Sequence, residues 1–267
     1  VNIFYKIFDF YIRSSLHVAL AITCLSASTF LDRGEGVNFF LAVFIYSAAV
    51  LAYNFAKYAT LPLMVLKKQK GVLMISFMAF ISAAVFAFFL PIKIFWWSLL
   101  FSMLTLFYSF PARPDIKNFR NRFGVKAYLI AICWSGICVG LPLLYLDVDF
   151  DYQALSALLE IFLFVLVWLI PFDIRDMETD HKDLGTIPMV LGIRKTKIVG
   201  SILLSLIVFS NLISGGLAWN SIYLICLLSA FFLWKAQKKQ SKYFSSFWVE
   251  SISIVWFLIE YFNKFSG

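Results

Sequence analysis

The sequence predicts an all-α integral membrane protein of nine transmembrane helices, and three observations carry that prediction. Of 267 residues, 62% are hydrophobic, 14% are charged and 31 are phenylalanine. A soluble domain of this size has no interior large enough for so much apolar surface, so lipid has to act as the solvent. Apolar runs long enough to cross a bilayer core as helices recur along the whole chain. They lie near 14–31, 37–56, 72–90, 93–110, 125–146, 153–172, 196–214, 217–236 and 244–262. The third observation is the alternation of the basic residues between these runs.

One set of connections holds Lys6 and Arg13, then Lys57, Lys67, Lys68 and Lys70, then Arg113, Lys117, Arg120, Arg122 and Lys126. The same set continues with Arg175, Lys182, Arg194, Lys195 and Lys197, and ends with Lys235, Lys238, Lys239 and Lys242. The alternate connections hold only Arg33, Lys93 and Lys264, so 20 of the 23 bases share one side. A wrong number of spans would scramble this partition. The positive-inside rule assigns the basic side to the cytoplasm, with the N-terminus inside and the C-terminus opposite, in a membrane expected to be a bacterial inner membrane. The net charge of +8 is thereby explained by topology, with anionic membrane lipids as partners and no nucleic acid.

Taken in order, the first run is long and lacks a small-residue cleavage pattern, so it is expected to be a span and not a cleaved leader. Within it, His17 reads as a satisfied residue facing the bundle. The second and third runs are separated by the basic stretch around Lys67. Pro91 breaks the third from the fourth, and Ser214, Gly215 and Gly216 break the seventh from the eighth. Between the fifth and sixth runs, Asp147, Asp149 and Asp151 alternate in "YLDVDFDYQ". That loop lacks the glycine and terminal glutamate of a calcium loop and reads as a solvated connector. Cys24, Cys133, Cys138 and Cys226 all fall inside spans, without histidines at zinc-ligand spacing, and read as packing residues.

The sixth run ends in "DIRDMETDHKDLGTIPMVLG", residues 173–192. Asp173, Asp176 and Asp180 stand at i, i+3 and i+7, on one face if the helix continues through them. Carboxylates converging at a membrane boundary repel one another and need compensation. Magnesium supplies it, joining one or two carboxylates to the phosphates of a substrate. Glu178 points to the other face, and Asp183 falls where the helix frays.

This segment resembles the second aspartate-rich motif of the UbiA superfamily of intramembrane prenyltransferases. Asp173, Asp176 and Asp180 occupy its acidic positions, and Gly185, Thr186, Pro188, Leu191 and Gly192 match the remainder. "LFYSFPARP" is similar to a second family stretch through Tyr108, Ser109 and Pro111, and "GVKAYLIAICWS" to a third through Lys126 and Trp134. The resemblance implies a single transmembrane domain over 1–267, its helices bundled around a central lipid-accessible cavity. It implies magnesium on Asp173, Asp176 and Asp180, which are then the catalytic residues. A polyprenyl diphosphate, or another lipid, fills the cavity and meets Asn54, Lys57, Tyr58, Tyr108, Arg113, Lys126 and Arg175. Diphosphate departs, and an acceptor captures the prenyl carbocation.

One segment departs from the family. "AYNFAKYATLP" aligns with the first aspartate-rich motif and keeps its asparagine as Asn54. The acidic positions hold Phe55, Tyr58 and Pro62, and Lys57 adds a base. Two readings follow. Either Lys57 stands where a metal would be, supporting the diphosphate or pairing with Asp173 or Asp176, or the chain is a catalytically degenerate subunit or lipid-binding scaffold with a membrane-protein partner.

Overall fold

The computed structural model describes residues 3–58, 61–109, 125–179, 185–213 and 221–266, without the side chains of residues 63, 107–109, 265 and 266. Among them every regular element is helical. The chain runs through α1 (Ile3–Arg13), α2 (Leu16–Asp32), α3 (Phe39–Tyr58), the single turn α4 (Leu63–Leu66), α5 (Lys70–Ala87) and α6 (Ile92–Ser109). It continues through α7 (Val125–Ser135), α8 (Leu141–Tyr145), α9 (Tyr152–Asp176), α10 (Ile187–Leu191), α11 (Ile193–Ile213), α12 (Ser221–Lys235) and α13 (Ser251–Ser266). π-helical turns, Gly136–Gly140 and Phe244–Val249, join α7 to α8 and lead into α13.

Within the described residues the predicted segments fall on helices. Length and composition make five of them long and apolar enough to cross a membrane: α3, α5, the run Val125–Tyr145, α9 and α11. α1 and α2 pass together as a sixth, bent by 58°. The apolar helices Ile92–Leu106 and Ser221–Lys235 are shorter. The Ser214–Gly216 break lies outside the described residues.

α2 lies at the centre because its sequence allows close approach. Ala19, Ala21, Ser26, Ala27 and Ser28 are buried along it, and α3 and α13 pack directly against it. Without a hydrophobic drive between helices in lipid, small residues that let backbones approach are what hold such contacts. α9 is the second axis, burying Phe164, Val165, Ile170 and Ile174 against α7, α11 and α12. α5 buries only Val72 and Ala79 and turns Phe77, Met78, Phe80 and Ile81 outward, as a helix at the lipid boundary does.

Both π-turns expose backbone carbonyls that a regular α-helix would satisfy internally, and a side chain from elsewhere meets each. Trp97 Nε1 donates to Gly136 O at 2.9 Å, and Thr29 Oγ1 donates to Cys138 O at 2.9 Å. Gly136 is required here, because a Cβ would meet the Phe101 ring at 1.9 Å. In the second turn, His17 Nε2 bonds Phe247 O at 3.0 Å. His17 Nδ1 also meets Tyr11 Oη at 3.0 Å, so this intramembrane histidine is satisfied on both nitrogens. The four cysteines are free, and all but Cys133 are buried.

Ion pairs and caps lie at both ends of the bundle. At one end Lys93 pairs with Asp147, Lys264 Nζ donates to Gly34 O and Glu35 O, and Asp151 caps α9 by accepting from Ala154 N at 2.8 Å. At the other, Asp9 accepts from Arg13 at 2.7 Å and pairs with Lys242, and Glu178 stands 3.6 Å from Lys238.

Candidate functional site

α2, α3, α6, α7, α9 and the start of the last helical segment enclose a cavity of about 520 Å³. Ile22, Phe44, Ile45, Phe101, Leu141 and Val165 line its apolar part. Its polar end carries Lys57, Lys126, Asp173, Arg175, Asp176 and Glu250. Along α3 the lining runs from Lys57 to Phe44, roughly 20 Å at the helical rise of ~1.5 Å per residue. That exceeds half the ~30 Å hydrocarbon thickness of a bilayer, so the cavity is a deep sleeve with a charged mouth.

Asp173 and Asp176 stand one turn apart in the last turn of α9, and both reach the cavity. Asp173 is only 6% exposed. Pro171 lies inside α9, and Gln240 Nε2 donates to its carbonyl at 2.9 Å, tying the loop after α12 to the turn that carries the acids. α9 stops at Asp176. Asp180 and Arg113 lie outside the described residues, as does His181, and the side chain of Tyr108 is likewise outside the description. Lys126 enters the cavity from the first turn of α7.

Arg175 neighbours Asp176 in sequence and in space. Its Nε donates to Asp176 Oδ1 at 2.6 Å and its Nη2 to Oδ2 at 2.8 Å, while Nη1 reaches Ser246 Oγ at 3.3 Å. A bidentate guanidinium–carboxylate pair is among the stronger side-chain contacts.

The α3 side of the mouth is arranged differently. Lys57 Nζ donates to Ser15 Oγ at 2.9 Å. Ser15 sits at the α1–α2 bend with φ of 61°, a left-handed conformation that costs a non-glycine residue roughly 1–2 kcal/mol. Asn54 is buried and turned toward α5, its Nδ2 donating to Ser76 Oγ at 3.0 Å, and it is not among the cavity-lining residues. Its Oδ1 is buried with no hydrogen-bond partner among the described residues. Tyr58 Oη donates to Arg13 O at 3.1 Å and also lies off the cavity.

Glu250 is the site residue that the sequence reading did not single out. It opens onto the same cavity, and its carboxylate feels the charges of both Lys57 and Arg175. The signal for it was an acid inside the ninth apolar run, which holds Glu250 and Glu260, since an ionisable side chain there marks a functional position by default. Among the described residues the mouth therefore gathers three acids and three bases.

Asp173 and Asp176 offer hard oxygen donors of the type magnesium takes. No group of three His, Cys, Asp or Glu among the described residues is placed to hold a metal ion unaided. The donor set therefore fits a hard cation shared with the oxygens of a bound anion, which is how magnesium commonly sits beside phosphates.

A helical bundle with apolar helices long enough for a membrane, closed around an apolar sleeve with charges at one end, is the architecture of an intramembrane protein that handles a lipid with a polar head. The chain belongs to the UbiA prenyltransferase family, whose model matches residues 65–249. Its fold is similar to that of a UbiA homolog from Archaeoglobus fulgidus bound to DMAPP and Mg2+. That likeness has 13% sequence identity and a TM-score of 0.63, and it covers 96% of this chain and 99% of the other. No curated protein matches the chain.

Proposed function

We propose that this protein is an intramembrane prenyltransferase that takes the isoprenyl group of a polyprenyl diphosphate and passes it to an acceptor. The carrying observation is the joining of a sleeve about 20 Å deep to a mouth holding both Asp173 and Asp176 with Lys57, Lys126 and Arg175. An apolar tail of several isoprene units lies along Ile22, Phe44, Ile45 and Leu141, out of contact with water. The diphosphate then rests among the mouth residues, where Lys57 and Lys126 meet it as point charges and Arg175 as a planar fork.

Asp173 and Asp176, with Asp180 as the third acid of the motif, would hold magnesium, which would supply charge neutralisation for the departing diphosphate. The chain's own residues do the rest. Lys57 and Lys126 stabilise the negative charge that grows on the leaving oxygen, and being fixed in advance they need no reorganisation. Trp134 and Trp168, both lining the cavity, present aromatic faces to the cationic carbon fragment. Asn54 and Tyr58 support this wall from behind α3, and Tyr108 and Arg113 are further proposed contacts of the diphosphate. The charged end faces the cytoplasm of a bacterial inner membrane, where anionic headgroups meet the basic loops.

Isothermal titration of the purified chain with farnesyl diphosphate tests this reading. Binding is expected with magnesium present, weakened at least about tenfold in Asp176→Ala, the loss of roughly one charged contact. No binding in the presence of magnesium overturns it. Binding without release of diphosphate in the presence of membrane extracts favours the scaffold reading, which the pairing of Asp176 with Arg175 in place of a metal also supports. A cysteine placed at Lys238 should react only with reagents that reach the cytoplasm.

A further inference from the structure

Glu250 is held in place more firmly than a stray acid in an apolar helix would be. It follows the π-turn Phe244–Val249, and its N–H donates five residues back, to Ser245 O at 3.4 Å. The wider turn brings Ser246, Val249 and Glu250 together onto the cavity wall. Three side-chain contacts fix that turn. His17 Nε2 meets Phe247 O at 3.0 Å and Ser251 Oγ at 3.2 Å, and Gln240 Nε2 donates to Ser245 Oγ at 2.9 Å. π-turns inside α-helices occur frequently at functional sites, because the extra residue re-aims the side chains beyond it.

The surroundings of Glu250 then define what it can do. Lys57 comes from α3 and Arg175 from α9, two cations facing one cavity. Each carries a positive charge that repels the other where little water screens them. Glu250 feels both. Arg175 Nη1 already reaches Ser246 Oγ at 3.3 Å, one turn from Glu250, on the wall that Glu250 shares.

Resting on the prenyl-diphosphate reading, we propose that Glu250 is a positioning residue that draws the Lys57 ammonium and the Arg175 guanidinium toward one point of the mouth, where the diphosphate is received. Without it, the repulsion between the two cations loses one balancing charge, and only the contacts each already makes, Lys57 to Ser15 and Arg175 to Asp176, hold them. With it, both stay within reach of an anion that needs two donors from opposite walls. Glu250 itself touches no reacting atom.

Calorimetric titration of the full chain with inorganic diphosphate and with farnesyl diphosphate, at fixed magnesium, tests this. Glu250→Gln is expected to weaken both by about tenfold, and Glu250→Asp, which keeps the charge but withdraws it, by about threefold. In a cycle with Lys57→Met, the double variant is expected to lose little more than Lys57→Met alone. Equal or tighter binding by Glu250→Gln at an unchanged melting temperature overturns the proposal, as do fully additive losses. Should Glu250→Gln fail to fold, Glu250→Asp decides: unchanged affinity for both ligands refutes the positioning role. If the wild-type chain binds neither ligand, the functional reading falls first. If it binds both and the Glu250 variants bind as well, only the positioning role falls.

Discussion

Arg175 grips both carboxylate oxygens of the residue that follows it, with Nε 2.6 Å from Oδ1 of Asp176 and Nη2 2.8 Å from Oδ2. Adjacent residues within a helix do not ordinarily face each other. They do so here because α9 ends at Asp176 and frees both side chains to turn inward.

The pair predicts competition. A metal on Asp176 must displace the guanidinium, so Arg175→Leu should raise magnesium affinity by about fivefold, the scale of a partly buried ion pair of roughly 1 kcal/mol. Manganese binding followed by electron paramagnetic resonance checks this. The same variant should bind prenyl diphosphate more weakly, since a donor to the phosphates is gone. Loss of both affinities would mean that Arg175 supports the metal and does not compete with it.

Lys57 is expected to act through its charge and not through packing. Lys57→Met should weaken diphosphate binding by about tenfold and flatten its dependence on salt, whereas Lys57→Arg should keep most of the affinity. Titrations at two ionic strengths distinguish these outcomes. An unchanged affinity in Lys57→Met would place the diphosphate elsewhere in the mouth.

The Phe101 ring lies against Gly136 so closely that an added Cβ would stand 1.9 Å from it. Gly136→Ala should therefore lower stability by roughly 1–3 kcal/mol through overpacking. Adding Phe101→Ala should restore part of that loss, because the new methyl then has space. Thermal melts of the single and double variants in one detergent measure the coupling.

Asp9 ties α1 to the loop before α13, pairing with Lys242 and accepting from Tyr243 Oη at 3.0 Å, with Arg13 at 2.7 Å beside it. Asp9→Asn should loosen that tie by removing the charge that Lys242 meets, while Asp9→Glu should keep most of it. Hydrogen exchange of α1 amides reads this out, and unchanged protection in Asp9→Asn would show that packing alone holds α1 in place.

Much of the fold was legible because hydrophobicity is a local property that the bilayer converts directly into helix length. Among the described residues the apolar runs fall on helices, without reference to any contact. The one-turn spacing of Asp173 and Asp176 likewise sufficed to bring both to one cavity. Glu250 was less legible. Glu250 has no charged partner at helical spacing within the run 244–262, and Lys57 and Arg175, whose charges it feels, stand 193 and 75 residues away in the chain.

By itself, then, the sequence determined that this is a helical membrane protein with two acids one turn apart at the end of α9. Spacing and solvent preference fix those features residue by residue. Only the tertiary structure decided that Lys57 bonds a strained Ser15, that Arg175 occupies Asp176, and that a π-turn stitched by His17 swings Glu250 into the mouth. These depend on helix register and on contacts across distant segments, which hydrophobic periodicity does not encode.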